Sequence, residues 1–572
     1  MAPRRRKNKR GSRPSAAPPS VVERQLLDPV VSPAAAEPYG IIPTSVQEPW
    51  RRLQNVLAHG DRLLSRLRFP TLPYRFERWL GPNALLWLAI LSVLPIIYVG
   101  FGMTVSVTSW AWPRNLRPWV DNDYWWHLAA GNWMIDRREM PSPDPWLFTY
   151  DGPFVAHEWL GEIFLAVTDR LGGYQTGIVA TWIFAVAGFW LLMGAAHRYG
   201  LSWRGCTVIT ALWMIVFLRE GVFAVRPQMW TFSLYALLFL IIALYETGRL
   251  QSLWILPPLF LLWFNLHLSA VIGIVILGVF GLDQLIRRRP VRHLIIVGAL
   301  SLAGLIVNPF GIDYVDQILR FGGRPEIWNQ RIFEWQAPRL GDWHNRGFIL
   351  AMPMVIPAIW QLLRGRVWPG LLVIFFLYQA ITSVRFVSVY VLICVVLAGW
   401  LVWQHRQDVE HAWVPAPREQ TRATWLLAVP MAVSAAIVLW VATSFEFSQF
   451  RREPVAWGYP VTAASIYEEE YSHLRLYNTY DWGGYLVLRY NGDPQIFIDG
   501  RADTYPNELI ERYFSMNDGD AGWDARMIEY DIGVIIIRPI DGLNTPIRLH
   551  PDWRLIYQDQ YSNMYVRSSA LD

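Results

Sequence analysis

Apolar runs long enough to cross a lipid bilayer recur along this 572-residue chain, and they limit its fold more than any other feature. A helix needs about 20 apolar residues to cross ~30 Å of hydrocarbon, and it must satisfy every backbone N–H and C=O within the span. With 53% hydrophobic and 17% charged residues, the chain reads as an α-helical polytopic membrane protein. About eleven spans are expected, near 84–108, 176–197, 205–219, 228–246, 252–264, 268–285, 293–307, 347–363, 367–383, 386–404 and 424–443. Several are short for a full crossing, and 252–264 is the weakest. The segment 158–170 reads as a further partial or re-entrant helix. The 32 tryptophans suit a chain with much interfacial surface. Cys206 and Cys394 both lie inside apolar runs, which excludes a disulfide framework and a cysteine-rich metal site.

Lysine and arginine concentrate in the cytoplasmic loops of membrane proteins. With the N-terminus inside, the inner loops carry Arg198 and Arg204, then Arg249, then Arg287, Arg288, Arg289 and Arg292, then Arg364 and Arg366, then Arg406, Arg418 and Arg422. Every expected inner loop is basic, whereas the outer loops mix acids and bases. Three regions follow. Residues 1–80 form a disordered basic cytoplasmic tail, with an amphipathic segment around Arg51–Arg78 lying on the membrane surface. Residues 81–445 form the transmembrane domain, with outer loops at 109–175 and 308–346. Residues 446–572 form an extracytoplasmic α/β domain, with strands expected at 474–478, 495–499, 534–538, 553–559 and 563–567 and helices in DWGGYLVLRY and PNELIERYF. The tail's positive charge points to membrane lipid rather than nucleic acid as its partner, and it shows no cleavable signal pattern.

This topology gathers the unusual polar residues on the outer face. Asp121, Asp123, His127, His157 and Glu158 fall in the first outer loop. Arg226 and Gln228 open a span, Asn265 and His267 sit at a turn between two, and Asn308 ends another. Glu334 lies in the second large outer loop and Arg385 in the last short one. Polar groups near a membrane interior usually face a cavity and mark function. The Asp121/Asp123 pair suits a divalent cation, Mg²⁺ or Mn²⁺, through hard oxygen ligands. Equally, one aspartate suits a general base, or Asp123 caps the helix that begins YWWHLAAGNWMI. His127 is one helical turn beyond Asp123 and can share its face. His157 and Glu158 are adjacent, so on a helix only one of them would point into a site; Glu158 also suits a helix N-terminus. Arg226 and Arg385 suit phosphate binding through charge-assisted hydrogen bonds, or snorkelling to headgroups. His267 and Asn265 suit the capping of a helix break. IDGRADTY reads as an acceptor contact or as a structural turn with an internal Asp–Arg pair. Walker A, G-x-G-x-x-G and G-x-S-x-G patterns are absent from the sequence, leaving nucleotide hydrolysis and serine hydrolase chemistry without local support.

These features together resemble the GT-C superfamily of membrane glycosyltransferases. The stretches DNDYWWHLAAGNWMI, PSPDPWLFTY, FVAHEWLGEIF, WFNLHLSAVIG, VNPFG, FEWQAP, DWGGYL and IDGRADTY are similar to a large group of bacterial membrane proteins described as glycosyltransferase-like. The resemblance implies GT-C-like architecture and transfer of sugar from a polyprenyl-phosphate donor to a glycan, lipid or protein acceptor on the outer face of the cell envelope. It implies Asp121 or Asp123 as the base or metal-binding acid, Glu158 as a second acid, and Arg226 or Arg385 as the phosphate-binding arginine. His127, His157, His267 and Glu334 would support them. A lipid-glycan ligase, a transporter and a non-catalytic scaffold or complex subunit remain alternatives; a transporter would want mid-bilayer polar residues and internal repeats.

Overall fold

The computed structural model describes residues 122–201, 206, 225–323, 326–338, 346–409 and 458–571, all within one compact unit. The basic tail, the expected spans at 84–108 and 424–443, and all of 205–219 except Cys206 lie outside the described residues. So do Asp121 and the junction drawn at 445/446.

Helix α1 (Asp123–Arg137) and helix α2 (Trp159–Gly172) pack closely across Gly131, where an added Cβ would come within 2.1 Å of the Glu162 carbonyl oxygen. Gly173, at φ 77°, turns the chain into α3 (Tyr174–Arg198). A 3-10 turn over Pro227–Trp230 leads into α4 (Thr231–Glu246), which packs along α3. The order continues with α5 (Leu256–Leu266), α6 (Ala270–Ile286), α7 (Arg292–Ala303), α8 (Asp313–Gly323) and α9 (Glu326–Arg331). Then come α10 (Arg346–Ala351), α11 (Val355–Leu363), α12 (Gly370–Thr382) and α13 (Val387–Val409).

Among the described residues, three helical stretches are long and apolar enough to cross a membrane: Val179–Arg198, Pro227–Glu246 and Val384–Gln404. Five expected spans appear as shorter apolar helices, Leu256–Leu266, Ala270–Ile286, Arg292–Ile306, Met352–Leu363 and Gly370–Thr382. At 1.5 Å per residue these fall short of ~30 Å of hydrocarbon. The expected span at 347–363 is broken by a 3-10 turn at Met352–Met354. Pro353 sits in that turn and has no N–H for a helical ladder.

The C-terminal region adds α14 (Val461–Ile466), β1 (Arg475–Asn478), α15 (Gly483–Tyr490), α16 (Asn507–Asn517), α17 (Trp523–Glu529), β2 (Ile532–Ile537), α18 (Asn544–Leu549), β3 (Trp553–Gln558) and β4 (Asn563–Arg567). The sheet order is β1-β2-β4-β3, with β1 parallel to β2 and the other pairs antiparallel. The expected strand at 495–499 makes only isolated bridges, from Ile496 to Leu476 and to Leu147. The reason is Asn478, whose side-chain amide takes the backbone groups a ladder would use. Its Oδ1 accepts from Phe497 N at 3.1 Å and its Nδ2 donates to Ile498 O at 2.8 Å.

Two buried apolar clusters result. One lies among the long helices. The other joins α1 and the first loop to the C-terminal sheet and helices, with Trp125, Tyr459 and Tyr485 in mutual edge or tilted ring contact.

Candidate active site

Asp123 is the first residue of α1, not its cap: Asn122 holds the N-cap position, and its side chain makes no capping bond. The Asp123 carboxylate turns sideways instead. Oδ1 accepts from Trp126 Nε1 at 3.1 Å, and Oδ2 meets Arg226 Nη1 at 2.5 Å. Arg226 reaches it from the extended residue just before the Pro227–Trp230 turn. Its other terminal nitrogen, Nη2, lies 2.5 Å from Glu334 Oε1. Glu334 Oε2 in turn accepts from Arg385 Nη1 at 3.0 Å. Four segments separated by up to 262 positions thus meet in the order Asp123–Arg226–Glu334–Arg385.

The backbone holds this row in register. Ser383 Oγ donates to Glu334 O at 2.9 Å and Val384 N to Gln336 O at 2.9 Å, while the Arg385 guanidinium lies 5.2 Å from the centre of the Trp335 ring. The Arg226 side chain is buried, but Asp123, Arg385 and Glu334 remain 30%, 32% and 37% exposed, so an incoming group can reach them. Burial alone would raise the Glu334 carboxyl, but the charges of Arg226 and Arg385 outweigh it and bring the pKa down to about 2.

Behind α1 lies a second polar cluster, and it is buried. His157 and Glu158 both point into it, against the expectation for adjacent helical residues. They precede α2 in a turn closed by His157 N to Val155 O and Trp159 N to Ala156 O, so helical geometry does not separate them. Glu158 Oε1 lies 3.0 Å from His267 Nε2 and 3.5 Å from His157 Nε2, and Oε2 lies 3.6 Å from His127 Nε2. Ser269 N donates to His267 Nδ1, which leaves the Nε2 proton of His267 to serve Glu158. His157 Nδ1 faces Asp503 Oδ2 at 3.6 Å, and Gln317 Nε2 donates to that same carboxylate.

The electrostatics sort these groups. Burial would raise Glu158, but the imidazoles of His267 and His157 overcome it and hold the carboxyl well below its ordinary range. Burial would lower His157, yet its hydrogen bond with Glu158 and the charges of Asp503 and Glu158 lift it to about 9. Burial drives His127 well below its ordinary value and Glu162 well above, the latter with help from the Glu158 charge. Glu162 Oε1 faces His127 Nδ1 at 3.2 Å.

The IDGRADTY turn is the internal Asp–Arg pair of its structural reading. Arg501 is buried, with Asp499 Oδ2 at 2.6 Å and Asp144 Oδ2 at 2.8 Å, and its guanidinium lies 4.6 Å from the Phe154 ring centre and 4.8 Å from that of Trp146. The same turn also touches the site: a Cβ on Gly500 would lie 2.8 Å from Asp123 Oδ1.

Sequence reasoning missed Glu162, Asp503, Gln317 and Trp126 as partners. Glu162 carried a signal, as an acid four residues beyond Glu158 within WLGEIFLAV. Asp503 lay within IDGRADTY, read as an acceptor contact or a structural turn, but nothing local tied it to His157, and Gln317 carried no signal because its contact spans distant segments. Of the pair expected to cap the helix break, His267 bonds backbone there, accepting from Ser269 N, whereas Asn265 Nδ2 donates to Leu261 O and Val307 O and its Oδ1 accepts from Trp159 Nε1.

No family profile matches the chain, and no curated protein matches it in sequence. Among solved structures, it is similar to the archaeal oligosaccharyltransferase AglB from Archaeoglobus fulgidus, in complex with an inhibitory peptide and a dolichol-phosphate. That likeness has a TM-score of 0.49 at 10% identity, over 81% of this chain and 70% of that one. It is also similar to ArnT from Cupriavidus metallidurans, with a TM-score of 0.42 at 14% identity, over 84% and 98% of the two chains. A third likeness is to the arabinofuranosyltransferase AftD from Mycobacteria, with a TM-score of 0.45 at 16% identity, over 84% and 41%.

Among the described residues, no group of three or more histidine, cysteine, aspartate or glutamate side chains is arranged to hold a metal ion. Both Asp123 oxygens already serve donors, one of them a guanidinium whose charge would repel a cation. Asp121, the other half of the expected pair, lies outside the described residues.

Proposed function

We propose that this chain transfers a sugar from a polyprenyl-phosphate donor to an acceptor hydroxyl on the outer face of the cell membrane. One observation carries the reading: the partly open row Asp123–Arg226–Glu334–Arg385, assembled from four distant segments. Two guanidiniums bridged by one carboxylate make a clamp for a phosphate, and a neighbouring carboxylate supplies a base.

In this scheme Arg226 and Arg385 hold the donor phosphate. The acceptor hydroxyl attacks the anomeric carbon, forming the new C–O bond as the bond to the phosphate oxygen breaks. Asp123 takes the acceptor proton, and the charge left on the phosphate falls to the two arginines. Fixed positive groups of this kind cost no reorganisation during reaction. Glu158 and its histidines act as positioning residues beneath α1. The topology that goes with this reading has about eleven spans, the N-terminus inside and residues 446–572 as an extracytoplasmic domain over the site. No step is routed through a cation; an Mg²⁺ or Mn²⁺ requirement would rest on Asp121.

The test is surface-glycan profiling of cells carrying Asp123→Asn or Arg385→Ala beside a deletion strain. Each variant is expected to reproduce the deletion profile, with transfer reduced at least ~10²-fold in Asp123→Asn. A wild-type profile from both variants, against a changed one in the deletion, would remove the row from the chemistry.

A further inference from the structure

Glu334 sits where the proposed donor phosphate belongs. Its two oxygens divide between the two arginines, one each, at 2.5 and 3.0 Å. The donor phosphate is a diester, and its two non-bridging oxygens present the same pattern, oxygens of one anion shared between two guanidiniums. We infer that Glu334 is a built-in competitor, a carboxylate that fills the Arg226–Arg385 clamp until a lipid-linked phosphate displaces it. The inference rests on the phosphate-binding reading of the arginines and deepens it.

Three observations support an exchange rather than a fixed structural pair. First, Glu334 itself carries a full negative charge at any physiological pH, because the two arginines hold its carboxyl at about 2. The incoming phosphate therefore meets an occupied clamp. Second, the Glu334 side chain is 37% exposed, so packing does not enclose it on every side and the carboxylate has room to swing off the arginines. Third, the backbone need not move. Ser383 Oγ holds the Glu334 carbonyl, Val384 N holds the next turn at Gln336 O, and Trp335 lies beneath the Arg385 guanidinium. The exchange is a side-chain rotation inside a fixed frame, and the arginines stay preorganised throughout.

The device has two consequences. It keeps the two guanidiniums paired when no donor is bound, which spares the cost of holding like charges close together. It also sets a threshold on the ligand: a neutral lipid headgroup cannot displace the carboxylate, whereas an anionic phosphate with at least two terminal oxygens can. The shared chemistry is an anionic phosphate with two or more terminal oxygens, and a lipid carrier or a free phosphate in solution can supply it.

The test measures binding to the full chain in detergent by tryptophan fluorescence, with undecaprenyl phosphate and inorganic phosphate as separate probes. Glu334→Gln keeps the shape and removes the charge. It is expected to bind undecaprenyl phosphate at least tenfold tighter than wild type, with Arg385→Ala binding weakly or not at all. In Glu334→Ala, added sodium acetate is expected to weaken phosphate binding back toward the wild-type level, and this arm stands if the Gln variant folds poorly. A gain for inorganic phosphate equal to that for the lipid identifies headgroup chemistry alone as what Glu334 opposes; a larger gain for the lipid means that the chain is also gripped. Either result upholds the competition. Glu334→Gln binding no tighter than wild type, while Arg385→Ala still loses binding, overturns the competitor and leaves the donor reading intact. If wild type and Glu334→Gln both fail to bind either probe, the phosphate reading falls and the competitor with it.

Discussion

At the residue scale, the chemistry depends on which carboxylates are open and which are enclosed. Asp123 and Glu334 face arginines at a partly exposed edge, whereas Glu158 and Glu162 are buried among histidines. Four acids of similar intrinsic strength are thereby sorted into open and structural groups by their neighbours. His157 makes this testable. Its pKa in the folded state is raised to about 9 from an ordinary 6.5. A raised histidine contributes stability that is fully present below pH 6.5 and is lost as pH climbs through 9. The full effect is roughly 3 kcal/mol at about 1.4 kcal/mol per unit. Thermal unfolding in detergent is expected to show wild-type stability falling between pH 6.5 and 9, and His157→Gln should start lower and lack that slope. Glu158 works at the other end, since its lowered carboxyl supports the fold above its ordinary range and stops doing so only in strong acid. An alkaline slope unchanged in His157→Gln would place its origin elsewhere.

At the element scale, close packing decides where α1 lies and therefore where Asp123 points. Gly131 lets α1 approach the backbone of α2, and Gly500 lets the C-terminal turn approach the Asp123 carboxylate. These two glycines predict opposite phenotypes. Gly131→Ala would drive a Cβ to 2.1 Å from the Glu162 carbonyl oxygen, a backbone atom that cannot step aside. It is expected to cost about 1–3 kcal/mol of stability, or more. Gly500→Ala would meet only the tip of a side chain, Asp123 Oδ1, at 2.8 Å. It is expected to cost less than about 1 kcal/mol while reducing glycan transfer through displacement of the carboxylate. Paired melting and glycan-profile measurements separate the two; equal losses of stability would contradict the argument. Helix and strand positions were largely legible in the sequence, because apolar periodicity is local. The exceptions have nameable causes: Pro353 breaks one expected span, and the Asn478 amide replaces a strand ladder at 495–499.

At the scale of the whole molecule, the first loop and the C-terminal region share one apolar core, and Arg501 ties them together ionically. Asp144 belongs to the first loop and Asp499 to the C-terminal region, and both carboxylates are buried around the same guanidinium. Removing one partner from a buried ion cluster leaves uncompensated charge, at about 3–5 kcal/mol. Arg501→Met is therefore expected to lower the melting temperature sharply and expose the C-terminal region to limited proteolysis. Resistance equal to wild type would mean that the apolar core alone holds the two regions together.

The sequence by itself determined that this is a helical membrane chain, roughly where its helices run, and which residues are chemically out of place in such a chain. These follow from hydrophobic length, loop charge and residue type, all readable over a few neighbouring positions. It also singled out Asp123, Arg226, Glu334 and Arg385 from four separate segments. Only the tertiary structure decided that those four form one row while His127, His157, Glu158 and His267 form another cluster behind it. It also decided that Asp123 points to an arginine instead of capping its helix, and that both His157 and Glu158 turn inward. Each of those outcomes depends on which distant guanidinium or imidazole lies within about 3 Å of a carboxylate, and no local pattern encodes that distance.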